Sequence, residues 1–504
     1  MKERLDSTGF IAQELREKRS IFTDFSITLF PLIVFSCLCL LNLVLYDSPW
    51  ILLLTIPQII FVFYQLFVKG LDYAVFWHFM FIITGLEATT ANVGNLAEIT
   101  MLSYLRLKII GPVGLAYFLS IFLLFCALIS KKKILKKGLF YQLFLFLSFL
   151  FVIGGIFSCI GMLLQHHDLG QFLEYNIYLG MVCCNMFLLL HTMTPYMKKT
   201  LFPALLTLLA ASPIATLLSW KVFHKVTEYS GFEAALQSQI DFFSPCLLLF
   251  LLYPMKGKFY FLLGLLSMVC NLAFSGGGSE LLIFGVFFVI FTCICFFKRS
   301  GYYCLKAAII ICIVVIGSIV INILLTLDSS SLFALKMREV ISLFSVFSAN
   351  SLSDIHNYIP HSPYVRISEI LNILYCGLKQ PIFLFFGQGP GGYFEDHLNM
   401  FHFIELGKSD YNLNAISSGK FSYAHGAIPC VTLLNGLVGI VGLGYFTIRY
   451  LLKSEKFPLA ATAFIWLGMS FYFNMQTAII CMLLLFCYDL FFILEQDKKI
   501  EEVQ

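Results

Sequence analysis

Apolar runs of helical length, separated by short polar turns, fill most of the chain. Fourteen can be marked: 27–46, 50–68, 71–88, 110–129, 139–164, 172–191, 201–219, 240–255, 258–274, 279–297, 302–326, 426–448, 457–473 and 476–494. Most approach the ~20 residues needed to cross a hydrocarbon core. Inside lipid each backbone N–H and C=O must be satisfied within the protein, so each run is read as a helix. Residues 1–20 are polar and amphipathic and lack the apolar centre and small-residue cleavage site of a signal peptide, so the first span is expected to be retained.

Composition agrees with the pattern. The chain is 59% hydrophobic and 12% charged, against roughly 25% charged in a typical globular domain. So few polar groups cannot coat a globule of 504 residues. A nucleic-acid binder, a cytosolic enzyme and a disordered scaffold are thereby excluded. The net charge of +4 is too small to argue for an anionic partner. Most of the sixteen cysteines sit inside apolar runs, where a thiol behaves as a small hydrophobe, and no CxxC pair occurs. The expected fold class is an all-α polytopic membrane protein of about 14 helices.

Basic residues set the expected orientation. With the N-terminus inside, alternation puts 22 Lys and Arg on the inner side, including the run Lys131, Lys132, Lys133, Lys136 and Lys137. The outer side holds 10, and six of those lie in one long loop where the positive-inside rule carries little weight. In short connections the ratio is 22 to 4, which predicts both termini in the cytoplasm. The expected organisation is a cytoplasmic segment 1–26, spans through 27–326, a large extracytoplasmic loop 327–425, spans through 426–494 and a cytoplasmic tail 495–504. A loop of that length is functional or disordered. Mixed Pro, Gly, His and aromatic residues favour a folded one, with a helix from about Tyr364 to Leu378 that Pro363 opens and Pro381 ends. No inverted repeat of the transporter type is visible.

Chemistry concentrates late in the chain. An arginine, Arg366, opens the loop helix. Pro381 follows, then the glycine-rich turn Gly387-Gln388-Gly389-Pro390-Gly391-Gly392, then His425, and then a glycine-rich span containing Gly436 and Gly439. In this order and spacing the chain resembles the O-antigen polymerase and O-antigen ligase superfamily of membrane glycosyltransferases, over about residues 275–446. The resemblance implies a GT-C-like architecture and an extracytoplasmic active loop. It also implies a donor and an acceptor oligosaccharide on undecaprenyl diphosphate, no cofactor, and a chain-length regulator protein as partner. One departure stands out. Family members carry a Ser-Arg-Gly-like motif before the long-loop region, where this chain reads Ser275-Gly276-Gly277-Gly278-Ser279-Glu280. A helix N-terminus following those glycines can attract a phosphate without an arginine, although Glu280 opposes it; alternatively they are a flexible turn capped by Ser279.

Each candidate has a bland reading beside the functional one. Arg366 either pairs with Glu369 or Asp354 on an exposed helix, or offers its guanidinium fork to a diphosphate. His425, where the loop re-enters the membrane, is either an interfacial histidine satisfied by a carbonyl or the base that takes a proton from an attacking sugar hydroxyl. Lys221, Lys225, Lys336 and Arg338 are loop cations that could help hold a diphosphate, with Gly387, Gly389 and Gly391 lining it. The pairs His356/His361 and His397/His402 lack the spacing of two ligands on one helical face, and no metal site is expected. Asp72, His78, Glu87, Glu174, Asp241 and Asp489 lie in or near spans, where ionisable groups are functional candidates by default. The expected function is polymerisation of lipid-linked oligosaccharide repeat units into a surface polysaccharide, O-antigen or capsule, at the outer face of the bacterial cytoplasmic membrane. The same loop chemistry serves an O-antigen ligase that uses lipid A core as acceptor. A 14-span flippase for the same lipid-linked glycans is the alternative from another class.

Overall fold

The computed structural model describes residues 29–86, 102–164, 169–241, 359–425, 427–453 and 476–490, with short breaks, and isolated positions between 266 and 317. Helices dominate. In the first half they are α1 (Leu29–Leu45), α2 (Leu52–Tyr64), α3 (Leu71–Thr84), α4 (Leu115–Ile129), α5 (Gly138–Leu164), α6 (Leu169–His191) and α7 (Pro195–Phe223). In the second half they are α8 (His361–Lys379), α9 (Pro381–Phe386), α10 (Leu413–Ser418), α11 (Ala427–Lys453) and α12 (Gln476–Cys487). Among the described residues two hairpins, β1 (Lys108–Ile110) with β2 (Val113–Gly114) and β3 (Val226–Tyr229) with β4 (Phe232–Ala235), cap connections, and a third antiparallel pair joins β5 (Phe394–Glu395) to the distant β6 (Lys420–Phe421).

Among the described residues four helical stretches are long and apolar enough to cross a membrane: Pro49–Lys69, Gly138–Leu163, Thr200–Phe223 and Ile428–Tyr450. Five shorter apolar helices accompany them among the described residues. Their exposed faces are those of a membrane protein. On α5 the exposed large apolar side chains are Leu145, Phe149, Val152, Ile156, Ile160 and Leu163, a stripe at helical spacing with no charge in it. In water such a stripe would be an aggregation surface; in a bilayer it is the solvated face. By contrast α3 and α12 are buried nearly all round, as expected of helices apolar on every side at the centre of a bundle.

Polar groups tie the bundle together at its two ends. Lys225 pairs with Asp47 at 2.7 Å, and the Gln476 amide donates to the carbonyls of Ile82, Ile83 and Gly85. Asp489 accepts the Phe140 N–H at the start of α5, capping from another helix a donor that has no partner within its own. Leu135 N–H donates to Leu190 C=O at 3.0 Å. Each pair joins segments that the alternation of spans puts on one side. Apart from Ile240, Asp241 and a few isolated positions, the runs at 240–255, 258–274, 279–297, 302–326 and 457–473 lie outside the described residues.

His78, one of the intramembrane candidates, is a clasp. Its Nδ1 lies 2.8 Å from the Tyr104 hydroxyl and its Nε2 lies 2.8 Å from Ser120 Oγ. Ser120 gives its own proton to the Ala116 carbonyl, so it accepts from Nε2–H, and Nδ1 accepts from Tyr104. A neutral imidazole therefore satisfies three segments at once in the apolar interior. Asp241 is likewise engaged, by the Thr216 hydroxyl at 2.7 Å and the Ser238 N–H at 3.1 Å.

Several boundaries differ from the sequence reading. Helix α7 begins at Pro195 rather than 201, because Thr194 caps it and a proline fits its first turn. The span expected at 110–129 begins at Leu115, its first residues being used by the β1–β2 hairpin. Helix α8 starts at His361, with Pro363 inside its first turn. Pro381 does end that helix, yet it also opens α9, a second helix where the sequence pattern reads as plain loop.

Candidate functional site

Helix α8 has one buried side. Tyr364, Val365, Ser368, Glu369, Asn372 and Ile373 recur on it at helical spacing and are all buried, while Arg366, Tyr375 and Leu378 are exposed. Ser368 and Asn372 satisfy themselves on the preceding turn of the helix. Glu369 does not. Its side chain is fully buried, and a carboxylate in that position must be paired and hydrogen-bonded.

Its partners come from the far end of the loop. His425 Nδ1 lies 2.6 Å from Glu369 Oε1, and the His425 backbone N–H donates to Oε2 at 2.8 Å. The Tyr411 hydroxyl also donates to Oε1. Three donors thus converge on one buried acid, two of them from a single histidine. The imidazole ring is further enclosed by Tyr411 and Tyr423, both edge-on, with centroids 4.8 and 5.1 Å away. Its side chain nevertheless keeps 21% of its surface exposed. With Nδ1–H committed to the carboxylate, the Nε2 lone pair is free for a proton, and among the described residues nothing occupies it. A carboxylate that fixes the tautomer and steadies the imidazolium is the arrangement a general base needs.

Arg366 is exposed one turn before Glu369 on the same helix. Glu369, the first of the two acids weighed as its ion-pair partner, is instead taken up by His425 and Tyr411; Asp354 lies outside the described residues. Asp396 is used locally. It accepts from the Asn372 amide at 2.8 Å and from the N–H groups of Met400 and Phe401 at 3.0 and 2.8 Å, closing the turn that follows β5 and tying it to α8. His361, His397 and His402 are exposed, and among the described residues no three metal-binding side chains converge.

The glycine turn sits elsewhere in the architecture than at the mouth of the loop. Gly387, Gly389 and Gly391 all have positive φ, at 72°, 76° and 85°. Helix α11 is broken at Gly436, whose φ of 60° and ψ of −156° are not helical. At the break the carbonyls of Leu433 and Leu434 accept from the N–H groups of Gln388 and Gly389, at 2.7 and 3.1 Å. On the other side Ser158 of α5 donates to the Pro390 carbonyl. The turn is therefore wedged between two long apolar helices. Positive φ and backbone-to-backbone packing both demand glycine here, and the Gly387 N–H is already given to Phe383 C=O at 2.9 Å.

The remaining candidates disperse. Lys221 lies in the last turn of α7, not in a loop, with its ammonium 3.6 Å from the Trp220 ring centroid. Lys225 follows that helix and is paired with Asp47. Ser275, Gly276, Gly277, Gly278, Lys336 and Arg338 lie outside the described residues. Of the predicted residues, His425 and Arg366 fall around one helix, α8. Glu369 and Tyr411 complete the site and escape the sequence reading, because their partnerships span 56 and 42 residues of sequence. The chain matches no protein-family model, no curated protein and no solved structure.

Proposed function

We propose that this membrane protein joins lipid-linked oligosaccharide repeat units, with His425 as the base and the surface on its side of the bilayer as the reaction face. The observation that carries this reading is the Glu369–His425 pair, a buried carboxylate holding a part-exposed imidazole at 2.6 Å beside the point where the loop meets a span. A hydroxyl of the acceptor's terminal sugar attacks the anomeric carbon of the donor. Its proton passes to Nε2 of His425, and the bond from that carbon to the lipid diphosphate breaks. The diphosphate is a good leaving group, so no protein nucleophile is needed. Glu369 balances the charge that appears on the imidazole, and Arg366 offers a fork of donors to the charge that appears on the leaving group.

The test is the surface-glycan profile of a strain lacking this protein. Single repeat units with no long chains are expected. Accumulation of finished polymer on the lipid carrier would indicate a ligase instead, and loss of every surface unit a flippase. Within the same assay Arg366→Lys keeps the charge and loses the bidentate fork. Shortened chains at unchanged protein level are expected, and full activity of Arg366→Ala would remove this residue from the site.

A further inference from the structure

We propose that the end of α8 and the whole of α9 form a re-entrant element whose exposed apolar side chains lie among the lipid acyl chains of the leaflet nearest His425. This placement does not depend on glycosyl transfer. Four large apolar side chains are exposed over this short stretch: Tyr375 37%, Leu378 68%, Ile382 54% and Phe385 52%. On a segment bathed in water that exposure would be costly and adhesive. Depth argues that it is not bathed in water.

The turn that follows α9 is fixed to two helices that are long and apolar enough to cross a bilayer. It donates to Leu433 and Leu434 at the break before Gly436, which lies nine residues inside α11, roughly 13 Å along the axis at ~1.5 Å per residue. It accepts from Ser158, six residues before the end of α5, roughly 9 Å along the axis at the same rise. At 27 residues each these helices are roughly 40 Å long and overhang a ~30 Å hydrocarbon core by roughly 5 Å at either end, which still leaves the turn roughly 4 to 8 Å below its edge.

The break itself requires the arrangement. A break in α11 frees carbonyls that lipid cannot satisfy, and irregular backbone at that depth persists only where protein fills it. The N–H groups of Gln388 and Gly389 do so. Helix α9 packs beside them, with Phe386 stacked on Phe157 of α5 at 5.6 Å and Phe383 edge-on to it at 6.5 Å. Its outward side is then continuous with the lipid-facing stripe of α5, where Val152, Ile156 and Ile160 are exposed.

Three single variants, Ile382→Trp, Phe385→Trp and, for reference, the exposed Ser417→Trp, are made in a full chain whose own Trp50, Trp77, Trp220 and Trp466 are replaced by phenylalanine. The variants are reconstituted in phosphatidylcholine vesicles containing acyl-brominated lipid. The indoles introduced at positions 382 and 385 are expected to lose most of their emission to the brominated chains and to resist aqueous iodide, with the reverse at 417. Iodide quenching at 382 and 385 as strong as at 417 would overturn the proposal. So would protection from both quenchers, which would mean that a second protein surface covers the face. Should the tryptophan-free background not reconstitute, a genetically encoded nitroxide at 382 in the otherwise native chain gives the same contrast. Relaxation by oxygen is expected to exceed relaxation by a water-soluble nickel chelate, and the opposite order overturns the proposal.

Discussion

Replacing His425 with alanine is expected to leave mostly single-repeat glycans while the protein still inserts at normal levels. A positioned base contributes typically ~10² to 10⁴ in rate, and the imidazole is part-exposed, so its loss opens no large cavity in the core. His425→Gln separates two roles. It keeps a hydrogen-bonding side chain beside Glu369 but cannot accept a proton at neutral pH. If the Gln variant polymerises like wild type, His425 orients the substrate and another group takes the proton. Glu369→Gln supplies the complementary arm. The amide oxygen can still accept from Nδ1–H, but the charge that balances an imidazolium is gone. In a carboxylate–histidine pair that serves as a base, the change of the acid to its amide costs up to ~10⁴ in rate, so a marked shortening of the chains is expected. Quantifying repeat number on gels, with membrane protein level as control, reads all three. A Glu369→Gln protein with unchanged chain length would mean that the buried pair only staples the loop.

The second large effect concerns the wedge, not the chemistry. A Cβ placed on Gly387 would land on the backbone of Leu434 and Asn435, atoms that cannot move aside without dismantling α11. Its φ of 72° with ψ of 177° is backbone that essentially only glycine adopts, a strain of about 1–3 kcal/mol for an L side chain, and overpacking adds about 1–3 kcal/mol. Gly387→Ala should therefore lower the thermal midpoint in detergent sharply, and reduce the amount of protein recovered. Two other glycines calibrate the measurement. Gly419 has a φ of 67° but nothing within 4 Å, so Gly419→Ala reports strain alone. Gly444, in α11 with open space around it, should gain stability as alanine. Equal midpoints for the 387 and 419 variants would show that the turn is not seated against α11.

Much of the scaffold was legible because its signal is local. Apolar runs and prolines at helix starts need no knowledge of distant neighbours. His425 drew attention as a chemically distinctive residue at a junction, and the fold gives it a buried carboxylate as partner. What escaped was pairing. Glu369 reads in sequence as an ordinary partner for Arg366 three residues away, and only the folded loop presents His425 and Tyr411 to it instead. The Pro381–Phe386 stretch escaped for a different reason. Six residues are too few to span a bilayer, so a reading based on span length assigns them to a loop. The glycine turn shows the limit of motif logic: the spacing announces an unusual backbone, but not whether that backbone meets a ligand or another helix.

The order in which the chain is made gives the wedge a role in biogenesis. Gln388 and Gly389 leave the ribosome before Leu433 and Leu434, so their N–H groups have no acceptors until the later helix has been inserted. Until then the turn from 387 to 392 lacks the partner that seats it, and the broken helix has nothing to fill its gap. Neither half can settle alone. Insertion of residues 427–453 and docking of the turn must close together, as a late assembly step after the individual helices are in place. That step also brings His425, two residues before α11, against Glu369. A nascent chain stalled before residue 427 would carry every loop residue of the site and yet no assembled base.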